Sequence, residues 1–351
     1  MAAADATAES WRGGIPCIFA LAPDELVTLV PPRPYCMCLP RQSLLPLAAD
    51  VVRKHFEPFA PPMGAANLWF EAEGTPLRWQ MPIGVLYDLL CGEEAATRHE
   101  LPWRITVHFA SFPTGDVLRA TVREAESVLM NNLKESTFLR CGSAMPAMQL
   151  DAASQTALVA ALAIATDPDA AYAQYRPVAA SVDDAVNTHR TREVKEKSRV
   201  ATHRIPFRAC VAIDEWRQIP IDAVSPATGE EATLREALAR MLPSLFGGEG
   251  ANAAEAGGGD GGGGGGGGSA GGAEPKVLVQ GLAVPLNVSL AWLYDACRHP
   301  DGWLYASVKL KAPAAEEEAI AQTDAAKGST SASVPSPDSE GAAAPADSAA
   351  S

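Results

Sequence analysis

No apolar run in this 351-residue chain is long enough to cross a bilayer. The longest candidate, residues 157–165, falls far short of the ~20 residues that a spanning helix needs. The N-terminus, MAAADATAESW, lacks a basic start followed by an apolar core, so no secretory leader is expected. A surplus of base is missing too: 28 Lys and Arg face 42 Asp and Glu, for a net charge of −14. That balance argues against nucleic acid as a partner. Metal-ligand spacing is absent, since Cys36 and Cys38 stand alone as Cys-x-Cys on what reads as one face of a strand. The glycine run at 257–268 lacks the Gly-Lys-Ser/Thr ending of a phosphate loop. No metal and no cofactor are expected. Seven cysteines form no framework and sit among apolar neighbours, which predicts reduced, mostly buried thiols in a cytosolic protein.

The negative charge is localised. Residues 313–351 hold seven acids against Lys327, and residues 247–274 hold four acids and no base. What remains is close to neutral. The Ala/Ser/Pro/Glu-rich tail 313–351 is expected to be disordered, and the glycine-rich 247–274 to be a disordered insertion in a surface loop.

Between these biased segments the chain carries a repeated pattern. Residues 14–21 (GIPCIFAL) and 34–39 (PYCMCL) read as strands, and 41–56 as a helix with Pro46 near its start. Residues 68–73 (LWFEAE) read as a strand, 74–76 as a turn, 83–90 (IGVLYDLL) as a helix and 103–109 (WRITVHF) as a half-buried strand. The order ββαβαβ returns later. Residues 204–213 and 216–221 form a predicted hairpin, 233–242 a helix with Thr233 as N-cap, 276–282 a strand, 289–298 a helix and 303–310 a closing strand. Leu86-Tyr87-Asp88 recurs as Leu293-Tyr294-Asp295, each followed by a strand that opens with Trp. Two copies of one small α+β unit explain this most simply. A four-stranded mixed sheet wrapped on one helix, the β-grasp or ubiquitin-like fold, fits each copy.

The middle is helical. In residues 121–140, Val122, Ala125, Leu129, Leu133 and Ser136 share one stripe. Lys134 lies about 140° from Leu129 at ~100° per residue, so it is expected to face solvent with Phe138 on its side. The competing reading is an ordinary surface lysine. Residues 155–165 and 170–175 also read as helices, and the charged 189–203 as a solvated linker.

No convincing active site emerges. Cys91-Gly92-Glu93 ends a helix without a nearby His, and Glu71 and Glu73 alternate along the wet face of a strand. His299-Pro300-Asp301 resembles the His-Pro-Asn of ubiquitin-conjugating enzymes, but Cys297 precedes it, at the end of a core helix. The chain ends Ala-Ala-Ser without a C-terminal glycine, so a ubiquitin-like donor role is not expected, and an acceptor role remains.

Ile15-Pro16, residues 35–41 (YCMCLPR), 68–79 (LWFEAEGTPLRW), 82–90 (PIGVLYDLL), 101–112 (LPWRITVHFASF) and 205–208 (IPFR) closely resemble the autophagy protein 5 family. The resemblance continues from Gln280-Gly281 through Trp292 to Val308 and spans nearly all of the expected folded chain. It implies an α+β architecture of two ubiquitin-like (β-grasp) domains flanking a helix-rich domain. The boundaries expected are 1–113 (N-terminal helix and first ubiquitin-like domain), 114–188 (helix-rich domain), 189–203 (linker) and 204–312 (second ubiquitin-like domain). The resemblance further implies covalent linkage to the ubiquitin-like autophagy protein 12 through one lysine in a Lys-Glu after an apolar residue. That pattern falls on Leu133-Lys134-Glu135, with Phe138 nearby. It implies binding to the N-terminal helix of autophagy protein 16, for which Tyr35 and Arg41 are the candidate contacts. The assembly would promote ligase-like transfer of autophagy protein 8, delivered by the autophagy protein 3 conjugating enzyme, to phosphatidylethanolamine. The chain itself would be a scaffold with no catalytic centre, cytoplasmic and peripheral at the phagophore membrane. A non-conjugated ubiquitin-like adaptor, or a thiol enzyme acting through Cys91 or Cys297, are the rival readings.

Overall fold

The computed structural model describes residues 3–62, 67–91, 101–119, 121–197, 203–225, 228–247 and 275–309. The tail 313–351 and, beyond Gly247, the glycine-rich insertion lie outside the described residues.

The chain opens with helix α1 (Ala3–Trp11) and enters strand β1 (Gly14–Leu21), whose Ile15, Cys17, Phe19 and Leu21 alternate inward. Strand β2 (Tyr35–Pro40) returns antiparallel to it, and helix α2 (Pro46–Phe56) starts on Pro46, whose missing N–H costs nothing in a first turn. Strands β3 (Trp69–Ala72) and β4 (Thr75–Pro76), helix α3 (Ile83–Leu90) and strand β5 (Trp103–His108) complete the first unit. Its strand order is β2-β1-β5-β3-β4, with β1 and β5 parallel and the other pairs antiparallel.

The second unit repeats this topology. Strands β6 (Arg204–Cys210) and β7 (Trp216–Asp222) form a hairpin. Helices α8 (Leu234–Met241) and α9 (Pro243–Phe246), strands β8 (Lys276–Val279) and β9 (Leu282–Ala283), helix α10 (Leu290–Cys297) and strand β10 (Leu304–Lys309) follow. The order is β7-β6-β10-β8-β9, with β6 and β10 parallel. Thr233 caps α8 and Ser289 caps α10 through their side chains. Each sheet has five strands and not four. Residues 75–76 and 282–283, read as turn and strand end, form short fifth strands across the Glu73-Gly74 and Gln280-Gly281 turns. All four of these turn residues take positive φ.

Between the units lie α4 (Val122–Cys141), α5 (Met145–Met148), α6 (Ala152–Ala161) and α7 (Pro168–Lys197). A capping box starts α4, in which the Thr121 N–H donates to Glu124 Oε2 at 2.9 Å, and Gly142 ends it at φ +73°. Helix α7 continues to Lys197, well into the stretch expected to be a linker. Good helix formers, Arg, Glu and Lys, recur through that stretch, and the same composition reads as solvated linker.

Three apolar clusters hold the chain together. One fills the first unit, one the second, and one joins α4, α6 and α7 to Trp11. Trp303, Tyr305 and Cys210 come from the second unit yet pack into the first unit's cluster. Strand β10 is therefore buried on both faces, with Leu304, Ala306 and Val308 in its own core and Tyr305 and Ser307 turned toward the other unit. Trp303, which opens the closing strand, does not pack in its own unit's cluster. Instead it sits at the junction, donating its indole N–H to the Asn132 carbonyl on α4 at 3.2 Å.

Candidate functional site

Helix α4 carries the candidate lysine. The stripe of Ala125, Leu129, Leu133 and Ser136 is buried, and Phe138 leaves 56 % of its surface exposed. Lys134 is half-buried, less open than its position on the wheel implied. Its amine makes no hydrogen bond or ion pair among the described residues.

What holds this part of α4 is a polar network supplied by the second unit. Ser136 Oγ donates to the Asp301 carbonyl at 2.9 Å, and Asn132 Nδ2 donates to Asp301 Oδ2 at 3.1 Å. Glu135, the neighbour of Lys134, accepts from Arg208 Nη2 at 3.2 Å and from Gln218 Nε2 at 3.1 Å. The Arg208 guanidinium lies 3.9 Å above the Trp303 ring and donates to the Tyr305 hydroxyl at 2.8 Å. Gly302 follows Asp301 at φ +82°, against Ser136; no side chain fits there.

Asp301 is the hub. Its carboxylate takes the Tyr305 O–H at 2.7 Å and the Trp303 N–H at 3.1 Å, and lies 3.0 Å from His299 Nδ1. Burial opposes its ionisation, but His299, Arg208 and Tyr305 outweigh that and hold the carboxyl below its ordinary range. His299 Nε2 reaches the Gln42 carbonyl of the first unit at 2.8 Å. The His-Pro-Asp segment that looked like a catalytic decoy is thus a three-way tie between the first unit, α4 and the second unit. Farther along α4, Asp183 of α7 receives Arg140 at 2.8 Å and Arg298 at 2.5 Å. Burial works against the Asp183 charge, yet the two guanidinium groups lower its pKa.

Tyr35 is half-buried at the start of β2, its ring 5.0 Å from His55. Arg41, expected at a partner-facing corner, is buried. It pairs with Asp88 of α3 at 2.5 Å and donates to the Gly84 carbonyl at 3.1 Å. A side chain at Gly281 would run into its guanidinium, so Arg41 fills the space between α3 and the β8–β9 turn. The repeat has diverged here, since Asp295, the counterpart of Asp88, is exposed.

Cys17, Cys91, Cys141 and Cys210 are buried and Cys297 is half-buried, whereas Cys36 and Cys38 are exposed on β2. Burial pushes the Cys297 thiol up to about 11 and the Cys210 thiol up to about 12, far from a nucleophilic thiolate at neutral pH. No helix of the described residues is long and apolar enough to cross a membrane. Sequence reasoning singled out Lys134, Glu135 and Phe138 as candidates, did not name Asn132, Arg208 or Gln218, and met Asp301 only as part of a catalytic look-alike. The one available signal was Ser136 on an otherwise apolar stripe.

Three family models match this chain. They describe the first ubiquitin-like domain (UblA), the α-helical bundle region and the second ubiquitin-like domain (UblB) of autophagy protein ATG5, over residues 10–109, 122–178 and 204–308. Autophagy protein 5 of Arabidopsis thaliana is 27% identical over 86% of this chain and 97% of its own length. The protein of that name from Drosophila melanogaster is 41% identical over 40% of this chain and 51% of its own. The crystal structure of Kluyveromyces marxianus Atg5 matches with a TM-score of 0.61 and 17% identity, over 87% of this chain and 100% of that one.

Proposed function

Because this chain belongs to the autophagy protein 5 family and has its part in autophagy, we propose that it is a scaffold conjugated through Lys134 to the ubiquitin-like autophagy protein 12. The observation that carries this reading is the setting of Lys134. Its amine has no partner among the described residues, while the residues beside it, Asn132, Glu135 and Ser136, are tied down by the second unit. An acceptor amine must be free to react yet fixed in place, and a helix braced from behind meets both needs.

In the reaction, the conjugating enzyme's site removes a proton from the lysine ammonium. The amine nitrogen attacks the thioester carbonyl at the modifier's C-terminus, an isopeptide bond forms, and the enzyme's thiolate leaves. This chain contributes the amine and its placement, with no catalytic group of its own. Its further roles follow from the family. It binds the N-terminal helix of autophagy protein 16, with Tyr35 the remaining candidate contact because Arg41 is engaged internally. The conjugate then works at the phagophore membrane from the cytoplasm, promoting transfer of autophagy protein 8 from autophagy protein 3 to phosphatidylethanolamine.

Lys134→Arg tests the reading. Arginine keeps the charge, the length and the helix propensity, but its guanidinium is a poor nucleophile. Expressed with the conjugation machinery, the variant should keep its melting temperature and lose the shifted band on an immunoblot. An undiminished adduct refutes Lys134 as the acceptor and directs the search to Lys54 and Lys195.

A further inference from the structure

Residues 30–35 (VPPRPY), which lead from the β1–β2 connection into β2, have a backbone set almost entirely by proline. Pro31, Pro32 and Pro34 each fix their own φ near about −65°. The residues that precede them, Val30, Pro31 and Arg33, are pushed out of the helical region toward extended conformations. Every residue from 30 to 34 is therefore biased to the polyproline II helix, which has about three residues per turn. In keeping with this, residues 31–34 form no α-helix, strand or turn.

Burial follows the same period. Pro32 and Tyr35, three apart, are half-buried, with the Tyr35 ring on His55. Val30 and Arg33 form one exposed row, and Pro31 and Pro34 form another. The segment is also held from both ends. The Val27 N–H donates to the Phe59 carbonyl at 3.0 Å, and Thr28 Oγ1 donates to the Val30 carbonyl at 2.9 Å. At the other end, His55 Nε2 lies 2.8 Å from the Arg33 carbonyl. A segment ordered in advance loses little entropy when a partner binds it.

Two residue–proline pairs, Val30-Pro31 and Arg33-Pro34, thus stand on the outer faces of one extended helix, one turn apart. Aromatic-lined grooves read proline-rich segments in this form. We propose that residues 30–34 are a docking segment for a protein domain that carries such a groove, with a carboxylate beside it to meet Arg33. Arg33 is exposed, so its charge is open to that carboxylate. Recognition of this kind needs neither conjugation at Lys134 nor the helical partner.

The test is calorimetric titration of the purified full chain with a panel of isolated SH3, WW and EVH1 domains. At least one should bind saturably. Pro31→Ala and Pro34→Ala should each weaken that complex about tenfold, as an apolar ring leaves its slot. Pro32→Ala, on the inward row, should change it much less. Arg33→Glu should weaken it as well, with a loss that shrinks at high salt. Leu29→Asp, at the wholly exposed residue just before the segment, should leave the complex intact. All of these variants should keep the melting temperature of the parent chain. Absence of saturable binding across the panel, indifference to Pro31→Ala and Pro34→Ala, or an equal loss on Pro32→Ala would each overturn the proposal. Phosphatidylcholine–phosphatidylserine vesicles test the other occupant of an exposed apolar loop. Vesicle binding that Leu29→Asp abolishes, with no domain bound, would assign the loop to a lipid surface and overturn the proposal too.

Discussion

Replacing Gly302 by alanine isolates the contact that ties α4 to the second unit. Two costs arise there. The residue sits at φ +82°, where an L side chain strains the backbone by ~1–2 kcal/mol. An added Cβ would also collide with Ser136 Oγ and come within 3.0 Å of its Cβ, an overpacking cost of ~1–3 kcal/mol. The sum is ~2–5 kcal/mol. Gly74 supplies the control. It has φ +78° and nothing within 4 Å of a new Cβ, so Gly74→Ala carries the strain alone. The difference between the two variants, ~1–3 kcal/mol, measures the close approach of the second unit to α4. Urea unfolding followed by circular dichroism gives both values, provided the slope with denaturant stays constant. Adding Ser136→Ala to Gly302→Ala removes the nearest clashing atom, so the double variant should lose less than the sum of the singles. If Gly302→Ala is no worse than Gly74→Ala, or if the double variant is simply additive, the turn does not press on the helix and the account of the junction fails.

Much of each sheet was legible because its signals are local. A short β-like run placed β1 and alternation placed β5, Pro46 and Thr233 marked helix starts, and the repeated Leu-Tyr-Asp exposed the duplication. The errors share a different cause. Asp301 and Ser136 are separated by 165 positions, and Arg41 meets Asp88 and Gly281 from separate elements. A polar residue in a turn looks the same in sequence whether it faces water or another unit. Strand β10 illustrates this most plainly. Its Tyr305 and Ser307 alternate with Leu304, Ala306 and Val308 in a pattern that water on one face would also produce, but that face is covered by the first unit. Lys134 was singled out as a candidate by wheel position and family resemblance. Its bracing was not, because every bracing group lies on β6, β7 or the turn before β10.

Two further predictions probe the junction. Trp303→Ala should cost ~3–5 kcal/mol and lower amide protection both on α4 around Asn132 and in the first unit's core, because the indole bridges the two. Protection lost only within the second unit would contradict that placement. The second prediction concerns acid. Asp301 and Asp183 have native pKa values below the ordinary carboxylate value, which is ~3.9 for an aspartate in an unfolded chain. As pH falls, the unfolded state takes up protons before the native state does, so stability rises with pH in this window. The contribution of both groups is therefore fully present above about pH 4 and is lost as pH falls through the lower native values. Asp88 acts in the opposite sense, because burial outweighs Arg41 and raises its pKa, but it is one group against two. The urea midpoint should drop between pH 5 and pH 3. Asp301→Asn should lower the midpoint at pH 6 and flatten its fall in acid, since the amide keeps the shape but cannot charge. A midpoint that is constant or rising toward pH 3 would show that the buried carboxylates do not hold the two units against α4.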